Sequence, residues 1–251
     1  MVKTTSIIFM SVSLILSVVF PIVLALLLHR RIRFAWVSVI VGVSIFVVFQ
    51  ILTRIPLLVY LSKNAWYVEF SEQYYLLFGF LLALSAGLFE EIGRYIGFKV
   101  FLKNHLIWED GIGYGIGHGG LESLFIGTAF LNEFVISVMI NSKKVLPGDA
   151  QTIASTLINT PSYQFLLGGI ERIFALAIQM GLSLVVLYAV KNNKFLFFVL
   201  AILLHTIIDF VGIMLVKNVW LAEIFVGLST IASFVWILKS RNCFKANSIQ
   251  M

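Results

Sequence analysis

The sequence predicts an all-α, polytopic transmembrane bundle of about seven spans. Three observations predict it. The 251 residues are 60% hydrophobic and only 12% charged, about half the charged fraction of a water-soluble fold. Mean hydropathy is +1.02. Apolar stretches near the length of one bilayer crossing, about 20 residues, recur along the whole chain. The expectation is one integral membrane domain over residues 1–251, in the cell membrane, with no room for a soluble domain.

Seven segments emerge in order: Ser6–Leu28, Ala35–Leu52, Tyr74–Phe98, Gly111–Ile140, Tyr163–Val190, Phe195–Val216 and Val219–Leu238. The first is too long for a signal-peptide core and reads as a retained span. It is followed by the densest basic cluster, His29-Arg30-Arg31-Ile32-Arg33. The positive-inside rule puts that loop in the cytoplasm, the N-terminus outside and the C-terminus inside. Ten lysines and arginines then fall on inside loops, Lys245 among them, and six outside. Ser62–Ser71 carries Trp66, Tyr67 and Phe70, an interfacial aromatic belt. The longest loop, Asn141–Ser162, breaks at Pro147-Gly148, and its Gln151–Thr160 part has the spacing of a short surface helix.

The fourth span opens on alternating glycines, Gly111 to Gly119. No strand precedes them, so no dinucleotide site is expected; the small-xxx-small spacing points to close helix packing. The net charge of +6 sits beside the spans, where it orients the protein and meets anionic lipid. No basic face with interleaved aromatics exists, so nucleic acid is not an expected partner. Cys243 stands alone, which excludes an internal disulfide.

Charged groups inside apolar spans carry the functional signal, because each costs about 2.5–3.5 kcal/mol even on the lenient insertion scale. Glu90, Glu91 and Arg94 end one apolar run. Glu90 four before Arg94 makes a favourable helix-end pair, but two acids against one arginine leave a spare carboxylate. Burial and a neighbouring cation act oppositely on a carboxyl's proton affinity, a balance that suits a general base. His118 precedes Glu122 by four residues, and His205 precedes Asp209 by four. Four apart is one helical face, so each acid is placed to hold its histidine's ring and fix its tautomer. By helical rise, Glu90 lies about 24 Å from the outer end of its span, and His118 and His205 lie about 10 and 15 Å from the inner ends of theirs. All three fall at compatible depth in the cytoplasmic half. Glu171 and Arg172 sit nearer the outer half and read as a polar clamp toward other helices. Glu133 and Glu223 are expected in solvent, Arg54 snorkelling outward, and Glu109 and Asp110 at a helix start.

Phe89-Glu90-Glu91-Ile92-Gly93-Arg94, then Tyr114 to His118, then His205 to Asp209 resemble the three motifs of a clan of membrane proteases. That clan includes CAAX prenyl endopeptidases, bacteriocin-processing (CPBP) proteins and PrsW-type proteases. With Gly119-Gly120-Leu121-Glu122 and Gly169-Ile170-Glu171-Arg172 the chain looks most like the YhfC family of intramembrane metalloproteases. The likeness covers roughly residues 76–209, inside a motif-bearing core of about 74–216. It implies an intramembrane endopeptidase acting on a membrane-associated protein or peptide. It also implies that Glu90 activates water, that Glu91 orients it with Arg94, and that His118 and His205 bind a metal or stabilise the oxyanion. Asp209 stands where related enzymes often have asparagine, so as an ionised acid it accepts rather than donates a hydrogen bond.

The residues leave two chemistries open. In one, His118, His205 and Glu90 hold zinc; in the other, the imidazoles act on the oxyanion directly. Two histidines with several acids form a sufficient ligand set, which tips the expectation toward zinc. No HExxH is present, so a zinc site has to be assembled across helices. Two other classes fit intramembrane acids and histidines: a proton- or cation-coupled transporter and a catalytically silent regulatory or immunity protein. No inverted repeat with paired broken helices supports the transporter.

Overall fold

The computed structural model describes residues 1–145 and 148–246; Pro147, expected to break the long loop, lies outside them. Ten α-helices are described: α1 Thr4–Ile32, α2 Trp36–Phe46, α3 Ile55–Leu61, α4 Ala65–Gln73, α5 Tyr75–Ile96, α6 Trp108–Asn141, α7 Gly148–Asn159, α8 Ser162–Lys191, α9 Phe195–Leu215 and α10 Val219–Ala246. No strand occurs among the described residues. Seven stretches are long and apolar enough to cross a membrane, and α2 with α3 makes one of them, Trp36–Leu61. This is a multi-pass membrane bundle, as hydropathy predicted.

α8 is the central helix. Of its most apolar stretch 72% is buried, against 6% for the last span. It packs on α1, α6, α9 and α10, while α2 packs on α6 and α5 on α9. The glycines of α6 explain how it fits between two neighbours. A Cβ on Gly115 would stand 2.6 Å from Met180 Cα of α8, and one on Gly117 would stand 2.1 Å from Val39 O of α2. Residues two apart on a helix point about 200° apart. The alternating glycines therefore make two bare stripes on opposite faces, one for α8 and one for α2. The same device recurs at Gly87 of α5, where a Cβ would stand 2.7 Å from Thr206 Oγ1 of α9. That contact brings α9 against the acidic end of α5.

Two spans depart from α-geometry. Val47–Arg54 is a π-helix linking α2 to α3, and Gly97–Phe101 continues α5 as another. The wider π turn lets Gln50 and Arg54 both face α5, and such segments often occur at functional sites. The sequence reading ended the second span at Leu52; the π segment carries it on to Leu61. The aromatic segment near Trp66 is helical, α4, with Tyr67 packed edge-on against Phe78. The expected surface helix is α7, but its Leu157 is only 2% exposed and joins a small core with Val2, Met10, Ile136 and Phe165. It caps the bundle rather than floating on the lipid.

Substituting Gly117→Ala should lower thermal stability by about 1–3 kcal/mol, since the new methyl meets backbone. Gly227→Ala meets nothing within 4 Å and should be neutral or stabilising by up to about 1 kcal/mol through helix propensity. Thermal unfolding of both variants in one detergent checks the contrast.

Candidate active site

Glu90, Glu91 and Arg94 lie in the last turns of α5, with exposures of 6%, 0% and 0%. Arg94 Nη1 donates to both oxygens of Glu91, at 3.0 and 3.1 Å. Glu91 Oε1 also accepts from His205 Nδ1 of α9 at 2.7 Å. This fixes the tautomer: the proton sits on Nδ1, and Nε2 faces inward, 3.8 Å from Glu90 Oε2. His118 of α6 reaches the same oxygen from the other side, Nε2 to Oε2 at 3.0 Å. Its ring is fully buried, edge-on to Phe46 and stacked near Tyr114. The two histidines and the glutamate pair, 28 and 114 residues apart in the chain, thus meet around one carboxylate.

Two glutamines complete the site. Gln50 Nε2, on the π segment, donates to Glu90 Oε1. Gln179 Nε2, on α8, donates to Glu90 Oε2 at 3.1 Å and to Glu122 Oε2 at 2.8 Å. Each amide oxygen accepts from an arginine: Gln50 from Arg54 at 3.3 Å, and Gln179 from Arg94. Two Arg–Gln relays therefore hold Glu90, one on each oxygen. Beyond them Glu122 faces Arg172 at 3.7 Å, and Arg172 pairs with Glu171 at 2.7 Å. A cavity of about 560 Å³ opens beside this network, lined by Glu90, His205, Gln179, Asp209, Glu122 and Arg54 among others.

Several sequence expectations are corrected here. Glu122 does not hold His118; it turns to Gln179 and Arg172, and Glu90 takes the histidine instead. Asp209 lies 3.7 Å from His205 Nε2, beyond a hydrogen bond, and Glu91 orients that ring. Arg54 does not snorkel outward: it is bonded to Ser85 Oγ and Leu82 O at 3.0 and 2.9 Å and lines the cavity. Glu223 is not fully solvated, since its Oε2 is buried without a hydrogen-bond partner. Asp110 is 2% exposed and accepts from Ala35 N at 2.7 Å, pinning the α1–α2 loop. Glu171 and Arg172 form the expected clamp, partly with each other. Gln50 and Gln179 were missed. Their signal was an amide inside an apolar run, where desolvation demands partners.

Among the described residues no three His, Cys, Asp or Glu groups stand in ready-made coordination geometry. The donor types gathered here, imidazole and carboxylate, are ones a metal ion takes. Both imidazole Nε2 atoms face Glu90 Oε2, and Glu91 holds the far nitrogen of His205, as carboxylate–histidine–zinc triads do.

Comparison with known proteins agrees with the motifs. The family model described as YhfC intramembrane metalloprotease matches residues 16–227. The chain is 35% identical to "Uncharacterized membrane protein YhfC" of Bacillus subtilis (strain 168), covering 98% of this chain and all of that protein. No solved structure matches. A match of this extent, over a bundle that gathers the motif residues at one site, places the chain in the YhfC family of membrane proteins, whose description is intramembrane metalloprotease.

Proposed function

We propose that this protein is an intramembrane endopeptidase that hydrolyses peptide bonds of a membrane-associated protein or peptide. One observation carries the reading: imidazoles from two helices converge on one carboxylate, Glu90, at the wall of a cavity large enough for a peptide segment. Such ligand-sized hollows run from about 300 Å³ upward.

Glu90 is the base. It takes a proton from water as the oxygen attacks the scissile carbonyl carbon. With Nδ1–H on Glu91, His205 donates from Nε2 only as the imidazolium, and in that form it stabilises the carbonyl oxygen as it gains charge, while His118 holds Glu90 through its own Nε2. Glu90 then returns the proton to the amide nitrogen as the C–N bond breaks. Glu91 and Arg94 fix His205, and Gln50 and Gln179 fix Glu90, so the donors need little reorganisation during the reaction. A zinc ion held by His118, His205 and Glu90 would supply Lewis acidity to water and carbonyl.

Glu90→Gln and His205→Ala should each abolish cleavage, with a loss of at least about 10²-fold, while folded protein still accumulates in the membrane. Comparative proteomics of membranes bearing wild type and Glu90→Gln reads this through fragments that vanish. Equal fragment patterns would sink the peptidase reading. Purified wild-type protein should carry zinc near one equivalent by elemental analysis, and His118→Ala should lower it; metal bound equally by both would remove His118 from the ligand set. Arg94→Ala should cost about 3–5 kcal/mol of stability, because it strands the buried Glu91 charge. Thermal unfolding distinguishes that variant from Glu90→Gln, which keeps the ion pair.

A further inference from the structure

The cavity beside Glu90 extends from it in one direction. On α9 its lining begins at His205 and continues through Asp209 and Gly212 to Val216. On α8 it runs back from Leu182 to Glu171, on α5 from Glu90 back to Leu82, and on the second span from Arg54 on to Leu58. These spans run through the bundle in opposite senses, yet every step leads to the same end. That end holds the start of α8, the start of α5 and the turn between α9 and α10. Exposure rises the same way: His205 is buried, the Asp209 side chain is 37% exposed, and Val216 is 68% exposed.

Past Glu90 the other way, the described residues pack tightly. Phe98 and Leu102 follow α5, Tyr114 precedes His118 on α6, and Leu184 and Leu187 follow Leu182 on α8. All five are fully buried and belong to one apolar core. Phe34, from the α1–α2 loop, joins them. The core therefore lies at the end of the bundle that carries the basic last turn of α1, with Arg30 and Arg31. Lys103 and Lys194 occupy the other two turns at that end.

We infer that the substrate polypeptide reaches Glu90 from the outer face of the membrane, opposite the basic loop, and that the segment taken in is polar. The inference rests on the peptidase reading and adds the side of the membrane and the substrate class. The positive-inside rule assigns the packed, basic end to the cytoplasm, so the open end faces out. His205 to Val216 spans about 16 Å along α9, the length of about five extended residues. Along that path a segment meets Arg54, Arg172, Asp209 and Glu171. The Asp209 and Glu171 side chains are part-exposed beside the cavity. An apolar segment would strip their water and return no hydrogen bond, a cost that polar side chains and peptide groups offset. The substrates are the loops and span-flanking segments that membrane proteins present on the outer face, not the apolar middles of their spans.

The test uses the full chain in membrane vesicles of both orientations. Cys243, the one cysteine, is first changed to serine. Single cysteines then enter as Gly212→Cys in the cavity, where a Cβ meets nothing within 4 Å, and as the exposed controls Lys63→Cys at the open end and Lys103→Cys at the basic end. The probe is a membrane-impermeant trimethylammonium methanethiosulfonate. Gly212→Cys should follow Lys63→Cys, reacting in right-side-out vesicles and not in inverted ones, while Lys103→Cys does the opposite. Reaction of Gly212→Cys from the Lys103 side, or from neither side, overturns the inference. Ile213→Cys, also on the cavity wall, gives the same readout if the first variant fails to fold. Reaction of Lys63→Cys in inverted vesicles alone overturns the assignment to the outer face. Labelling needs no catalysis, so it is repeated with Glu90→Gln. Fragments that vanish in Glu90→Gln membranes should map to outer-face segments. Fragments from cytoplasmic or mid-span sequence overturn the substrate class and spare the peptidase. Unchanged fragments with the expected labelling sink the peptidase and leave the outward mouth standing.

Discussion

Two adjacent carboxylates, Glu90 and Glu91, are buried in the middle of an apolar bundle. Moving one such ion from water into a medium of low dielectric costs, in the idealised limit, about 20 kcal/mol. The fold tolerates the pair because every nearby helix sends a donor toward it. Arg94 covers Glu91 with two bonds, and His205 adds a third. Gln50, Gln179 and His118 cover Glu90. Each donor removed strips a buried charge of part of its cover, so this cluster constrains how α2, α5, α6, α8 and α9 pack.

The bare stripes of glycine serve the same end. Close approach of α6 to α2 and α8, and of α5 to α9, accompanies hydrogen bonds across helix interfaces from His118, Gln179 and His205 to the glutamates of α5. In lipid, helices gain little by hiding apolar surface from one another, so packing and interhelical hydrogen bonds hold them together. Here both act at one place. Glu91 therefore works as structure and as orientation at once: it neutralises Arg94 and also sets the tautomer of His205. Glu90 is left with the cavity in front of it and fixed donors behind it.

Much of this was legible before any coordinates. Hydropathy alone marks seven crossings, because a crossing is a length requirement on apolar sequence. The motif residues stood out because charge in an apolar run is costly enough to demand a reason. Helical rise placed Glu90, His118 and His205 at matching depth, and they do meet. Spacing within one helix misled where the partner lay on another. Four-residue spacing paired His118 with Glu122 and His205 with Asp209, yet each ring is held by a glutamate of α5.

What the sequence by itself determined is the number of spans, the bare faces of α6 and the charged motif residues Glu90, Glu91, Arg94, His118 and His205, since each follows from local composition and period. The tertiary structure decided who bonds whom. Only the packing of α8 and the π segment brings Gln179 and Gln50 onto Glu90 and turns Arg54 inward. A neutral amide in an apolar run announces that it needs a partner but not which one, because hydrogen bonding between helices depends on rotation and register that no single helix encodes.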